Sequence, residues 1–196
     1  MWLGTRQQLT KLTTTELTPL VKPSSAVLDL GVNIDGQLNM ADHVAALRRP
    51  CLFQLRQLRM VRSFLTLEAA KTLVHAFVSS RLDYCNVLLY GIGDGLLTKL
   101  QTVQNAAARV VTGTKKFDHI TPVLCQLHWL PVRQRITFKL AMIIFKCLRS
   151  LASSYLADVC APAIWNSLPV DLRTSSLSRD TFAKKLKTHL FGCERS

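Results

Sequence analysis

Asp83, Tyr84 and Cys85 stand side by side in "RLDYCNVLLYG" (81–91). A carboxylate, a phenol and a thiol in one stretch are raw material for nucleophilic or acid–base chemistry. A cysteine nucleophile also needs a histidine base and a group to orient it, and no spacing here supplies either. Two-metal chemistry needs two or three converging carboxylates, yet the next acid after Asp83 is Asp94. The segment therefore reads as structural, with Asp83 capping the following turn and Tyr84 and Cys85 in the core. His119, Cys125 and His128 are near in sequence but lack a fourth ligand and a familiar zinc spacing. "GIGDG" (91–95) has the spacing of a glycine-rich loop without the full phosphate-binding pattern, and reads as a turn. Cys51, Cys85, Cys125, Cys147, Cys160 and Cys193 are too scattered for a paired metal motif. They fit buried free thiols of a reducing compartment better than a disulfide framework. No catalytic residue, metal ligand or cofactor is assigned.

The basic residues carry a stronger signal. Arg48, Arg49, Arg56, Arg59 and Arg62 lie between Asp42 and Glu68 with no acid among them. At about 100° per residue on a helix, Arg48, Arg59 and Arg62 fall within roughly 60° of one another, and Arg56 and Arg49 extend that arc. A solvated face normally mixes signs, because like charges at helical spacing repel. An arginine-only face makes sense if phosphates neutralise it. Lys115 and Lys116 with Arg133 and Arg135 form a second cluster. Lys184, Lys185 and Lys187 form a third, read as a solvated helix face. The formal net charge is +13. Residues 1–40 balance Arg6, Lys11 and Lys22 against Glu16, Asp29 and Asp35, so the whole excess lies beyond them. Such a distribution points to a polyanionic partner. Trp129 and Trp165 read as core residues at helix corners rather than base-stacking platforms.

The elements that must position these residues are mostly helical. The 196 residues, 48% of them hydrophobic, suffice for one domain or two small ones. Residues 1–35 read as short strands, with "AVLDLGVNID" (26–35) ending in an Asp35-Gly36 turn signal. Residues 41–65 form a helix with Asp42 as its cap and a kink or restart at Pro50. A second helix (66–82) is capped by Thr66. A third runs from Asp94 to Gly113, its core side formed by Leu96, Leu100, Val103, Ala107 and Val110. Thr121 caps a helix with Pro122 at its first position. Pro131 opens another (131–151), short turns broken by Pro162 and Pro169 follow (153–176), and Ser178 to Gly192 bound the last helix. The fold expected is mainly α, a short N-terminal β-hairpin followed by a helical bundle and a C-terminal helical region. The start lacks a signal-peptide layout, and the longest apolar run, "LAMIIF" (140–145), is too short to span a bilayer. An intracellular protein of nucleus or cytoplasm, without a membrane partner, is expected.

Together these segments resemble the C-terminal part of reverse transcriptases of non-LTR (LINE-type) retrotransposons, the branch grouped with jockey and chicken-repeat elements. The resemblance is carried by "LGVNIDGQLNMADHV" (30–44), "FQLRQLRMVRSFLT" (53–66), "AAKTLVHAFVSSRLDYCNVLLYG" (69–91), "LQTVQNAAARVVTG" (100–113), "FDHITPVLCQLHWLPVRQRITFKL" (117–140), "SYLADVC" (154–160), "WNSLPVDLR" (165–173) and "FAKKLKTHLF" (182–191), in the family's order. It implies a palm remnant with a primer-grip-like hairpin (1–40), a helical thumb (41–115) and a C-terminal helical region (116–196). In the last, "APAI" (161–164) replaces a longer stretch, an internal deletion. The family's catalytic Asp-Asp motif, and with it the Mg2+ site, would lie upstream, and no Asp-Asp pair occurs here. The resemblance thus implies a truncated, catalytically silent remnant of an RNA-directed DNA polymerase. It would bind an RNA–DNA hybrid or other nucleic acid through Arg48, Arg49, Arg56, Arg59, Arg62, Lys115, Lys116, Arg133 and Arg135. The alternative is an inert relic or an interaction remnant whose exposed apolar face binds itself or another protein.

Overall fold

A computed structural model of the chain describes residues 26–153, 155–156, 163–174 and 176–192. The expected strands before residue 26, and Pro162 and Cys160, lie outside them. The chain is mainly α, and among the described residues a two-stranded antiparallel hairpin comes ahead of the helices. It divides into two units. Of the described residues, the first holds 26–85 together with 91–111, and the second holds 86–90 together with those from 112 to 192.

The first unit begins with β1 (Ala26–Asp29) and β2 (Val32–Asp35), paired so that Ala26 faces Asp35 and Asp29 faces Val32. The turn between them is Leu30-Gly31, with φ of 45° and 81°. Positive φ at both central residues is the tight hairpin turn whose twist matches that of the strands. Asp35-Gly36, the turn read from sequence, lies just after the hairpin instead. There the Asp35 carboxylate accepts the backbone N–H groups of Gln37 and Asn39.

Helix α1 spans Ala41–Val61. It starts one residue before Asp42, which sits in the first turn, while the Asn39 side chain accepts the Ala41 N–H. The helix runs through Pro50 without the expected restart. Proline removes the bond to the carbonyl four residues back. That residue, Ala46, is solvent-exposed, so water can satisfy the freed carbonyl. The buried residues Val44, Cys51, Leu55 and Leu58 form one seam of α1. A 3-10 turn (Arg62–Phe64) leads to α2 (Leu67–Val74). Thr66 caps α2 as expected, its hydroxyl accepting the Ala69 N–H.

A π-helical segment, His75–Ser79, joins α2 to α3 (Ser80–Asp83). Ala70, Val74, Val78 and Leu82 are all buried at four-residue steps. In a strict α-helix such a series drifts by about 40° per step. The wider π turn winds it back, which keeps all four residues on the buried side of segments that pack against α1. Helix α4 (Asp94–Thr112) ends at Gly113, whose φ is +76°. Its Leu100, Val103, Ala107 and Val110 are buried as expected. Leu97 takes the deep position near its start, and Leu96 is half-buried.

The second unit contains the 3-10 turn Asn86–Leu89, α5 (Thr121–Gln126), α6 (Val132–Leu148), α7 (Ala163–Ser167), α8 (Val170–Arg173) and α9 (Arg179–Gly192). Thr121 is the first residue of α5 rather than its cap, and Pro131 precedes α6. Helix α6 ends three residues short of the expected 151, where Ser150 turns to positive φ. Ser178 caps α9 through the Thr181 N–H. Ala141, Ile144 and Phe145 of α6 meet Phe182, Leu186 and Leu190 of α9, with Ile164, Leu168 and Leu172 closing the cluster. The rings of Phe145 and Phe182 stack at 4.3 Å, and Trp165 lies tilted beside both. Trp165 is therefore the core residue it was expected to be.

Candidate nucleic-acid interface

The hairpin and the Asp83-Tyr84-Cys85 segment meet in the first unit. The Tyr84 hydroxyl donates to the Leu30 carbonyl in the hairpin turn, and its ring lies 3.5 Å from where a side chain on Gly31 would begin. Interaction with the neighbouring Cys85 side chain raises the Tyr84 pKa above its ordinary value. A raised value favours the protonated hydroxyl that donates to Leu30. Cys85 turns the chain with φ of 50°. Tyr84 is half exposed and not the core residue expected, because its role is to latch the turn rather than to fill a cavity. On the other side of the hairpin, His43 is buried and its Nδ1 accepts the Asn33 N–H. Burial lowers the His43 pKa, which keeps that nitrogen free to accept.

These two latches place α1, whose outer side carries the arginines. Arg48, Arg49, Arg56 and Arg59 are all exposed. None of the four forms an ion pair with a described residue. Lys71 of α2, by contrast, is salt-bridged to Glu68. From Arg48 to Arg59 the row runs about 16 Å at 1.5 Å per residue. One strand of a DNA duplex carries about five phosphates over that length. Like charges held this close raise the potential of the face, and a polyanion relieves it.

Arg62 does something different. Its Nε donates to the Val110 carbonyl, one terminal nitrogen to Val111 and the other to Leu65, each at 2.8 Å. Val110 and Val111 belong to the last turn of α4, where carbonyls have no partner within the helix. Arg62 therefore closes the C-terminus of α4, with its charge at the negative end of the helix dipole. Sequence reasoning grouped it with the contact arginines, but a signal against this was present. Val44, Cys51, Leu55, Leu58 and position 62 follow one another at seven-, four-, three- and four-residue steps. Arg62 continues the buried seam.

Two features were missed outright. Arg81 of α3 acts electrostatically on the Cys51 thiol, opposing the burial that pushes the thiol pKa up. It brings a further cation beside α1. Phe53, Met60 and Val61 on α1, with Phe64 just beyond it, are exposed, so an apolar strip accompanies the arginines.

The other basic residues lie in the second unit. Lys115 and Lys116 are exposed on the loop between α4 and α5, and Arg133 and Arg135 stand in the first turn of α6. Arg133 and Arg135 already interact with other groups of the protein. Lys184 and Lys185 are exposed on α9, consistent with a solvated face.

Gly91 turns the chain with φ of 80°, and α4 starts at Asp94, so "GIGDG" is a turn. Among the described residues, no three His, Cys, Asp or Glu side chains converge as a metal site, and His119, Cys125 and His128 do not come together as one. No helix among them is long and apolar enough to cross a membrane. No family model, curated protein or solved structure matches this chain.

Proposed function

We propose that the chain is a nucleic-acid-binding remnant of an RNA-directed DNA polymerase of the non-LTR retrotransposon type. Its α1 helix lies along the backbone of a template–primer duplex. One observation carries this reading. Arg48, Arg49, Arg56 and Arg59 are exposed along one helix, with no acid between Asp42 and Glu68 to balance them. Phosphate contacts fix position rather than sequence, so the partner is recognised as a duplex and not by its bases.

Four such contacts imply a salt slope of about −3.6, at about −0.9 per phosphate. Affinity should then fall by about 150-fold between 50 and 200 mM salt. The test is fluorescence anisotropy of a labelled RNA–DNA hybrid across that range, with an Arg56→Gln/Arg59→Gln variant beside the wild type. The variant should lose about half of the slope. A folded chain that fails to bind, or binds without salt dependence, would overturn the proposal.

A second reading rests on the exposed Phe53, Met60, Val61 and Phe64. An apolar strip of this kind serves a protein partner or self-association. Association that persists at high salt and is lost in Phe53→Ser/Met60→Ser would favour it.

A further inference from the structure

We propose that Phe117 is a stacking platform for an unpaired nucleic-acid base, which deepens and rests on the nucleic-acid reading above. Phe117 is 93% exposed, an unfavourable place for a benzyl side chain unless something covers it. It is held there by a closed turn rather than left on a loose loop. The Asp118 carboxylate accepts the Lys115 N–H at 3.0 Å, and the Asp118 N–H donates back to the Lys115 carbonyl at 3.3 Å. Lys116 and Phe117 are therefore the two central residues of a four-residue turn, the positions whose side chains point away from it. The Lys116 ammonium lies 5.9 Å from the ring centroid, and Lys115 and His119 are exposed on either side.

The surroundings decide between occupants. Among the described residues from 112 to 128, Phe117 is the one exposed large apolar side chain. A protein partner would call for a contiguous apolar patch with depleted charge. Here a single ring rises from lysines. One aromatic face with cations beside it matches a base on the ring and backbone phosphates on the ammonium groups, the arrangement of single-strand binders. The occupant inferred is a single-stranded nucleic-acid segment of any sequence, since every base offers a face for stacking.

The experiment compares a blunt RNA–DNA hybrid with the same hybrid carrying a single-stranded tail of about thirty nucleotides, long enough to reach Phe117 wherever the second unit lies. Proteins are wild type, Phe117→Ala and Phe117→Trp. Wild type should bind the tailed hybrid more tightly than the blunt one. Phe117→Ala should weaken binding of the tailed hybrid by about tenfold, within the range for one stacked base, and leave the blunt hybrid unchanged. Phe117→Trp should keep the tail preference, with added tryptophan fluorescence quenched by the tail. If Phe117→Ala binds both hybrids as wild type does, or weakens both equally, the stacking role is refuted while the α1 reading stands. Quenching in Phe117→Trp by phosphatidylserine vesicles and not by the tail would also refute it, in favour of a membrane contact. A wild type that binds neither hybrid would overturn the proposed function and this inference together.

Discussion

Replacing Arg62 by methionine separates a structural arginine from a contact arginine. The substitution keeps the straight side chain and removes three hydrogen bonds of 2.8 Å. A hydrogen bond from a charged donor contributes about 1.5–3 kcal/mol net, and a stranded buried carbonyl costs about 1–3 kcal/mol. Val110 and Val111 are both buried, so water does not readily replace the guanidinium at their carbonyls. The favourable charge at the helix C-terminus, about 0.3–1 kcal/mol, is lost as well. These contributions overlap, and a total of about 3–4 kcal/mol is expected, a large share of the stability of a small domain. With a urea slope of about 2 kcal/mol per molar, the midpoint should fall by about 1.5–2 M. Arg59→Met, at an exposed position, should stay within about 0.5 kcal/mol of wild type. Urea unfolding followed by far-UV circular dichroism measures both. Hydrogen exchange at the last turn of α4 locates the loss, since local opening there should accelerate first. Arg59→Met should weaken hybrid binding at unchanged stability, the reverse of Arg62→Met. Equal stability of the two variants, with binding lost in Arg62→Met alone, would refute the assignment of Arg62 as a helix cap.

Other perturbations test the latches and the second core. Burial lowers the His43 pKa below its ordinary 6.5, so the unfolded chain binds a proton more tightly there than the folded one. The His43 contribution is then fully present above about pH 6.5 and is lost as pH falls through the lowered folded value. Wild type should lose more stability than His43→Gln between pH 7.5 and pH 5 in urea titrations, and parallel losses would count against this. Tyr84→Phe removes the donor to Leu30 and should cost about 0.5–1.5 kcal/mol, seen as faster amide exchange in β1 and β2. Phe145→Ala should open a cavity beside Phe182 at a cost of about 3–5 kcal/mol. It should also shift the emission of the adjoining Trp165, and an unmoved spectrum would contradict the packing.

Much of the architecture was legible in the sequence because its causes are local. Thr66 and Ser178 are followed by good helix formers, and their hydroxyls reach N–H groups three residues on. The apolar spacing of 100–110 fits only a helical repeat, and that helix stops at a glycine. The failures mark where local rules stop deciding. Asp35-Gly36 does turn the chain, closed by the Leu38 N–H on the Asp35 carbonyl, but the hairpin itself reverses at Leu30-Gly31, which no local rule singled out. Tyr84 latches that turn from 54 residues away, and pairing Val27 with Ile34 requires the reversal there. Pro50 has a strong local effect, but α1 continues through it because its seam is held by the four-residue series of the following helices.

The sequence by itself determined a mainly α chain with a hairpin before residue 40, an excess of positive charge beyond that residue, and a helix whose arginines have no acid among them. These follow from composition and short-range periodicity. Tertiary structure alone decided what each arginine does. Arg59 and Arg62 are three residues apart with the same side chain, but only Arg62 meets the open carbonyls of a helix end 48 residues later. A guanidinium satisfies whichever acceptors the fold brings within about 3 Å, and that proximity is set by how α1 and α4 come together, not by the residues on either side of Arg62.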